Sequence, residues 1–226
     1  MTTCHLFLFC INCVIKSLAG QFGSVIFRER CTLKNSSDFR ISTLEGVLDK
    51  KFCFTKESWR YRPTVSCILV DPKNKGSIIL VQPKAGSRRN WILPQGGVGR
   101  NESVFSAIRR EMAEELDCKW PLPHFEDKVR LLGSYINPAR DDSKSKLIVA
   151  AGLHLTSGYR VRLNEENIDY RLVSDEFEMW HIMSGTRPTK LLATCMLINL
   201  AYDQGLLGWR CDNVLSYLRQ EETIEV

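Results

Sequence analysis

Between Gly96 and Cys118 the chain reads GGVGRNESVFSAIRREMAEELDC, a glycine-rich turn followed at once by a stretch with helical spacing that carries Glu111, Glu114 and Glu115 in its second half. At about 100° of rotation per residue, Phe105, Ile108, Met112 and Leu116 fall on one apolar stripe that has to be buried, and the three carboxylates form a fan about a third of a turn away. Glu111 meets Glu114 at (i, i+3) and Glu115 at (i, i+4), where like charges destabilise a helix by a few tenths of a kcal/mol per pair unless a cation sits among them. A divalent metal is the expected cation, and hard oxygen donors in this number suit Mg²⁺ or Mn²⁺ better than zinc. Asn101 is the expected N-cap, with Glu102 and Ser103 in the first turn. The preceding Gly96-Gly97-Val98-Gly99 allows the backbone to approach the same place closely.

The spacing resembles the Nudix hydrolase signature, G-x5-E-x7-R-E-U-x-E-E-x-G-U with U a bulky apolar residue. Gly96, Glu102, Arg110, Glu111, Met112, Glu114, Glu115 and Cys118 stand in register with it. One position departs: Asp117 stands where the signature has glycine. Asp enters the left-handed conformation less readily than Gly but can do so, so a slightly altered turn is expected and no metal ligand is lost. The resemblance implies a Nudix-type α/β/α sandwich with a mixed β-sheet. It further implies that Glu111, Glu114 and Glu115 hold the metal with the Gly96 carbonyl, and that Arg110 and Glu102 form a structural pair tying loop to helix. Most Glu-Glu clusters are solvated helix faces; the matched Gly96 and Glu102 spacing outweighs that bland reading here.

A chain of 226 residues, 44% hydrophobic and 25% charged, can bury a substantial core and is neither disordered nor fibrous. The formal net charge of +5 favours polyanionic ligands without demanding nucleic acid. Nine cysteines are scattered through mostly apolar segments, and Cys10-Ile-Asn-Cys13 is a lone CxxC without a second pair at zinc-ribbon spacing. A reducing, cytoplasmic setting is the simpler reading. The apolar run Leu6 to Ile15 is too short to span a bilayer, and the first basic residue, Lys16, follows it, so neither a membrane anchor nor a secretory signal is expected.

The chain divides on paper into an N-terminal extension of unknown role, residues 1–58, a Nudix domain, residues 59–205, and a C-terminal tail, residues 206–226. Val65 to Val70 reads as a strand, Asp71 to Gly76 as a turn and Ser77 to Gln82 as the hairpin partner. Val129 to Ile136, Lys146 to Leu155 and Tyr159 to Leu163 read as further strands. Asp175 to Ile182 reads as a short strand, and Thr189 to Tyr202 as a long amphipathic helix. His124, His154 and His181 are isolated from one another, and the default for each is a structural or surface role.

Residues flanking the signature narrow the resemblance. Tyr61-Arg62-Pro63, then Trp91-x-x-Pro94-Gln95-Gly96-Gly97, then Glu176-Phe177-x-x-Trp180 are similar in order to the RNA pyrophosphohydrolase and dinucleoside polyphosphate hydrolase group. That likeness implies metal-assisted cleavage of a phosphoanhydride bond in a (di)nucleoside polyphosphate or at the 5′ end of triphosphorylated RNA. In such a mechanism Glu114 is expected to orient or deprotonate the water while Glu111 and Glu115 hold metal, and Glu176, on a loop that resembles the family's additional acidic site, is expected as a further ligand or base. A polyphosphate needs cations on its oxygens, and Arg62, Lys84, Arg88 and Arg89 surround the signature for that purpose, with Arg140, Lys144 and Lys146 further on. Trp91 is expected to pack beneath the site. Diphosphoinositol polyphosphate or a nucleoside diphosphate-sugar is the rival substrate, and a catalytically silent Nudix-fold sensor is the rival outside the enzymes. Oligomeric state is left open.

Overall fold

The computed structural model describes residues 41–74, 76–84, 90–117, 124–138, 144–156 and 159–220. Arg88, Arg89, Cys118, Arg140 and the N-terminal Cys10-Ile-Asn-Cys13 stretch lie outside them. The strands are β1 (Arg62–Asp71), β2 (Ser77–Pro83), β3 (Gln95–Gly97), β4 (Arg130–Asn137), β5 (Lys146–His154) and β6 (Asn167–Val173). The helices are α1 (Val104–Leu116), α2 (Phe125–Lys128), α3 (Glu176–Met183), α4 (Pro188–Asp203) and α5 (Asp212–Gln220), with a 3-10 turn at Lys56–Arg60 ahead of β1.

Strand β1 is the spine. Nearly every residue of RPTVSCILVD is buried, as a strand covered on both faces requires. It runs parallel to β5, from Arg62 opposite Lys146 to Val70 opposite His154, and antiparallel to β2 and β3. The sheet order is β4-β5-β1-β2-β6, with β3 branching from β1, so the sheet is mixed. Side-chain alternation then divides the core. Val65, Cys67 and Leu69 point to the face covered by α1, where Phe105, Ile108, Met112 and Leu116 are buried as their stripe requires. Ile68 and Val70 point to the opposite face, against Met179 of α3, Leu197 and Ile198 of α4 and Val214 of α5. Helices on both faces of a mixed sheet make the α/β/α sandwich.

Two expectations change. Tyr159 to Leu163 is not a strand: Tyr159, Val161 and Leu163 pack against the α1 face as irregular chain, and the edge strand is β6. Asp175 to Ile182 is helical rather than extended. Asp175 caps α3 by accepting the Glu178 N–H at 2.8 Å, and the Glu178 carboxylate reaches back to the Ser174 N–H at 2.8 Å, a reciprocal cap that overrides the strand-like alternation of EFEMWHIM. In the C-terminal segment, Leu207, Cys211, Val214 and Leu215 are part of the second core. Ahead of Trp59, Phe54 is buried with α1, Leu44, Val47 and Leu48 pack beside it, and Ser42 bridges to Ser134 of β4.

Candidate functional site

The glycine loop enters α1 through a turn held by one side chain. Glu102 Oε2 accepts the Gly99 N–H at 2.8 Å, and the Glu102 N–H donates to the Gly99 carbonyl at 3.2 Å. Asn101 takes a left-handed conformation, φ 63°, inside this turn, so the N-cap is Ser103, whose hydroxyl accepts the Ser106 N–H at 3.1 Å. At the other end Asp117 is left-handed, φ 52°, and its N–H closes on the Ala113 carbonyl at 3.1 Å. Asp thus serves as the C-cap where glycine was expected, and α1 keeps its length.

Arg110 is the hub of the acidic face. Its Nε donates to Glu102 Oε1 at 2.9 Å, and its Nη2 donates to Glu102 Oε2 at 2.9 Å and to the Gly97 carbonyl at 2.8 Å. Its Nη1 reaches Glu111 Oε1 at 2.6 Å and Glu114 Oε2 at 3.2 Å. The repulsion that points from sequence to a metal is therefore met in part by a guanidinium of the same helix. Arg110 holds the Glu102 carboxyl below the ordinary range, chiefly through those hydrogen bonds. Burial pushes the Glu111 carboxyl up, with Arg110 opposing it.

Glu115 lies beyond Arg110's reach. It is 7% exposed, its carboxylate receives the Gln95 N–H, and its Oε2 is buried with no hydrogen-bond partner. Burial first, then the charges of Glu111 and Glu166, push its pKa to about 8. Beneath it Cys67 is fully buried, and burial together with Glu115 and Glu111 pushes that thiol far up, which makes it an inert filler. Gly96 touches the same spot: a Cβ there would land inside the Glu111 carboxylate and push it from its place beside Arg110.

Among the described residues no three His, Cys, Asp or Glu side chains stand converged as a ready metal cage. The donor set nevertheless fits a hard divalent cation. A buried carboxylate oxygen without a partner, a raised pKa that an adjacent cation would relieve and a close glycine backbone are what such an ion completes.

A family model described as NUDIX domain matches residues 60–186, more than half of the 226. The chain belongs to the Nudix family. Two RNA pyrophosphohydrolases are similar over a short stretch: that of Saccharophagus degradans is 38% identical over 60 residues, covering 26% of this chain and 34% of the relative. That of Teredinibacter turnerae is 36% identical over 59 residues, covering 26% and 33%. The chain thus spans about a third of the length of the curated relatives it matches. Among solved structures, a bifunctional NMN adenylyltransferase/ADP ribose pyrophosphatase from Francisella tularensis, complexed with AMP and a manganese ion, superposes with a TM-score of 0.50. Its identity is 19%, over 62% of this chain and 42% of that one, which speaks for the fold alone.

In this Nudix chain the residues expected from sequence are not all brought together. Gly96, Glu102, Arg110, Glu111, Glu114 and Glu115 form one cluster at the junction of β3 and α1. Arg62 is exposed at the start of β1, in register with Lys146 of β5, a half-buried lysine whose pKa is lowered by burial and by Arg62 and supported by Glu115. Lys84 is exposed, and its N–H donates to the Glu166 carbonyl at 2.7 Å.

Glu176 is separate, which corrects its expected place. It opens α3 on the other face of the sheet, where Oε1 accepts the Val214 N–H at 2.7 Å and Oε2 accepts from Asn213 Nδ2 at 2.8 Å, so both oxygens anchor the start of α5. Trp91 also belongs to that second core, its N–H donating to Thr186 Oγ1 at 3.0 Å. The acid that sequence reasoning missed is Glu166. It lies in the turn before β6, next to Asn164, whose N–H donates to the Glu115 carbonyl at 3.3 Å, and its charge reaches the Glu115 carboxylate. The polar run Asn164-Glu165-Glu166-Asn167 ahead of an alternating stretch is the signal that marks this turn.

Proposed function

We propose that this chain is a metal-dependent pyrophosphohydrolase that cleaves a phosphoanhydride bond in a (di)nucleoside polyphosphate or at the 5′ end of triphosphorylated RNA. The observation that carries the reading is the Glu115 carboxylate, buried beside Glu111 and the Gly96 backbone with one oxygen unpartnered. An orphaned, like-charged carboxylate costs on the order of 1–3 kcal/mol or more, a cost without purpose on a purely structural helix. In this reading Glu111, Glu114 and Glu115 hold Mg²⁺ or Mn²⁺ with the Gly96 carbonyl, and the charge of Glu166 adds to the negative potential at Glu115. Bound there, the ion supplies positive charge to the scissile diphosphate and acidifies water beside it.

The side chains do the rest. Glu115 gives up its proton when a cation arrives. Glu114, the most exposed of the three at 57% of its side chain, orients the attacking water and takes a proton from it. Arg110 fixes Glu111 and the Gly97 carbonyl, which keeps loop and helix at one separation. Arg62 and Lys146, with Lys84, Arg88 and Arg89, neutralise the substrate's non-bridging oxygens.

One observation favours the rival of a silent sensor: Arg110 already bridges Glu102, Glu111 and Glu114. It does not reach Glu115, whose open valence is the stronger fact. Among the described residues no helix is long and apolar enough to cross a membrane. The free thiols Cys53, Cys67, Cys195 and Cys211 support placing the protein in a reducing cytoplasm. The test is chromatographic separation of the products formed with Mg²⁺ from diadenosine tetraphosphate, 5′-triphosphorylated RNA, a diphosphoinositol phosphate and ADP-ribose, where cleavage gives two nucleotides from the first and pyrophosphate with a 5′-monophosphate end from the second. Turnover of one of the first two, abolished in Glu115→Gln with the circular dichroism unchanged, is the expected result; no turnover of any of the four overturns the reading.

A further inference from the structure

The basic half of the site extends beyond the acidic cradle. Lys56, Arg60, Arg62 and Arg100 are exposed, and none of them forms an ion pair among the described residues, whereas Arg110, Arg171 and Arg210 are each held by carboxylates. Two of the four stand over aromatic rings. Arg60 Cζ is 4.9 Å from the Tyr61 ring centroid, and Arg100 Cζ is 6.0 Å from that of Trp59. Trp59 and Tyr61 are half-buried, their bodies packed on the α1 core, so the rings are fixed platforms. Glu57 is the single acid between Lys56 and Arg62.

The strip is anchored to the glycine loop. Arg100 belongs to the loop itself. Thr64 pairs with Gly97 across β1 and β3, and the Val98 N–H donates to the Pro63 carbonyl at 3.2 Å. Arg62 is two residues ahead of Thr64, about 7 Å along the strand from the point where Arg110 holds Gly97. Cations therefore begin beside the cradle and lead away from it, interleaved with aromatic rings. A polyphosphate held at the cradle meets Arg62, but it leaves Arg60 and Lys56, further back along the chain, without a phosphate. A backbone of successive phosphates with bases that stack on flat Arg and aromatic surfaces supplies them.

We infer that Lys56, Arg60, Arg62 and Arg100, with Trp59 and Tyr61, bind the single-stranded ribonucleotide chain that continues from a 5′-polyphosphate held at Glu111 and Glu115. The favoured substrate is then an oligoribonucleotide rather than a free nucleotide. This choice rests on reading the acidic cradle as the diphosphate site, and the experiment separates the two claims. Fluorescence anisotropy of a ten-nucleotide RNA with a 5′-hydroxyl, measured in EDTA, reports the strip without the cradle. The full chain binds it, and the Arg60→Ala/Arg100→Ala double variant binds about tenfold more weakly with a shallower salt dependence.

In Mg²⁺, the same variant raises KM for 5′-triphosphorylated RNA about tenfold and leaves kcat and KM for diadenosine tetraphosphate unchanged. The Arg60→Lys/Arg100→Lys variant restores only part of the RNA affinity, since it keeps charge without the planar stack; full restoration overturns the stacking role. An unmodified chain that fails to bind the RNA, or a double alanine variant that binds it equally well, overturns the inference and leaves the hydrolase reading standing. RNA binding as expected with no substrate hydrolysed leaves the strip standing and removes the enzyme.

Discussion

Glu115 and Glu176 are both carboxylates at the edge of a core, one on each face of the sheet, and they are treated in opposite ways. Glu176 accepts hydrogen bonds on both oxygens and stitches α5 to α3. Glu115 has one oxygen unpartnered, a second carboxylate beside it and a pKa pushed to about 8. Around Glu176 the packing of α3, α4 and α5 is scaffold, with polar groups satisfied. Around Glu115 the fold keeps an arrangement that is unfavourable for a charged carboxylate and that protonation or a bound cation relieves. Perturbed titration marks a functional site when geometry agrees with it, and here the glycine backbone and the carboxylate fan supply the geometry.

The largest effect expected from breaking this contrast is on turnover. Glu115→Gln should lower kcat with Mg²⁺ by about a thousandfold, the order lost when one group that stabilises transition-state charge is removed. Glu176→Ala should leave kcat within about twofold, and equal losses in the two variants, read by chromatography of the cleaved products, would erase the distinction between the faces. Next in size is core packing, where the faces should behave alike. Leu116→Ala and Leu197→Ala each remove a fully buried side chain and should each cost about 2–5 kcal/mol in urea denaturation.

The pH response sharpens the contrast again. In the folded, metal-free chain Glu115 is protonated up to about pH 8, whereas unfolded it ionises near the ordinary 4.5. Between those values the unfolded state binds fewer protons, so stability is greatest below the unfolded value and falls as pH climbs through the window. Thermal melts in EDTA should drop by roughly 5 °C from pH 5 to pH 8, Mg²⁺ should restore part of the loss, and Glu115→Gln should flatten the curve. A melt that rises over that window would contradict the burial argument. The smallest effect belongs to Glu176→Ala, which frees the N-terminus of α5 and should cost about 1 kcal/mol, seen as a modest fall in melting temperature.

What could be read from residues alone follows the strength of local signals. The β1–β2 hairpin and α1 were legible because a doubly buried strand is almost uniformly apolar and a one-sided helix keeps its stripe. Strand β6 escaped because it is an edge strand, with Ile168 and Tyr170 exposed between charged neighbours, so its apolar pattern is diluted. Helix α3 was mistaken for a strand because its caps, Ser174, Asp175 and Glu178, carry the decision while its interior alternates. Helix α5 is short and held by a residue distant in sequence, Glu176.

The same gap explains the site. Sequence placed Glu111, Glu114 and Glu115 together because helical spacing fixes them. It could not place Glu176 or Glu166, because which face the chain reaches after β6 is a matter of topology. It also did not foresee that Arg110 folds over the fan as its resident cation.

The most direct measurement is Mn²⁺ binding followed by electron paramagnetic resonance in the absence of substrate, for the unaltered chain and for Glu115→Gln. The account predicts a bound ion in the unaltered chain, tighter as pH rises through about 8, and loss of that binding in the variant. Equal binding in both, or none in the unaltered chain with a pyrophosphate compound present, would contradict it.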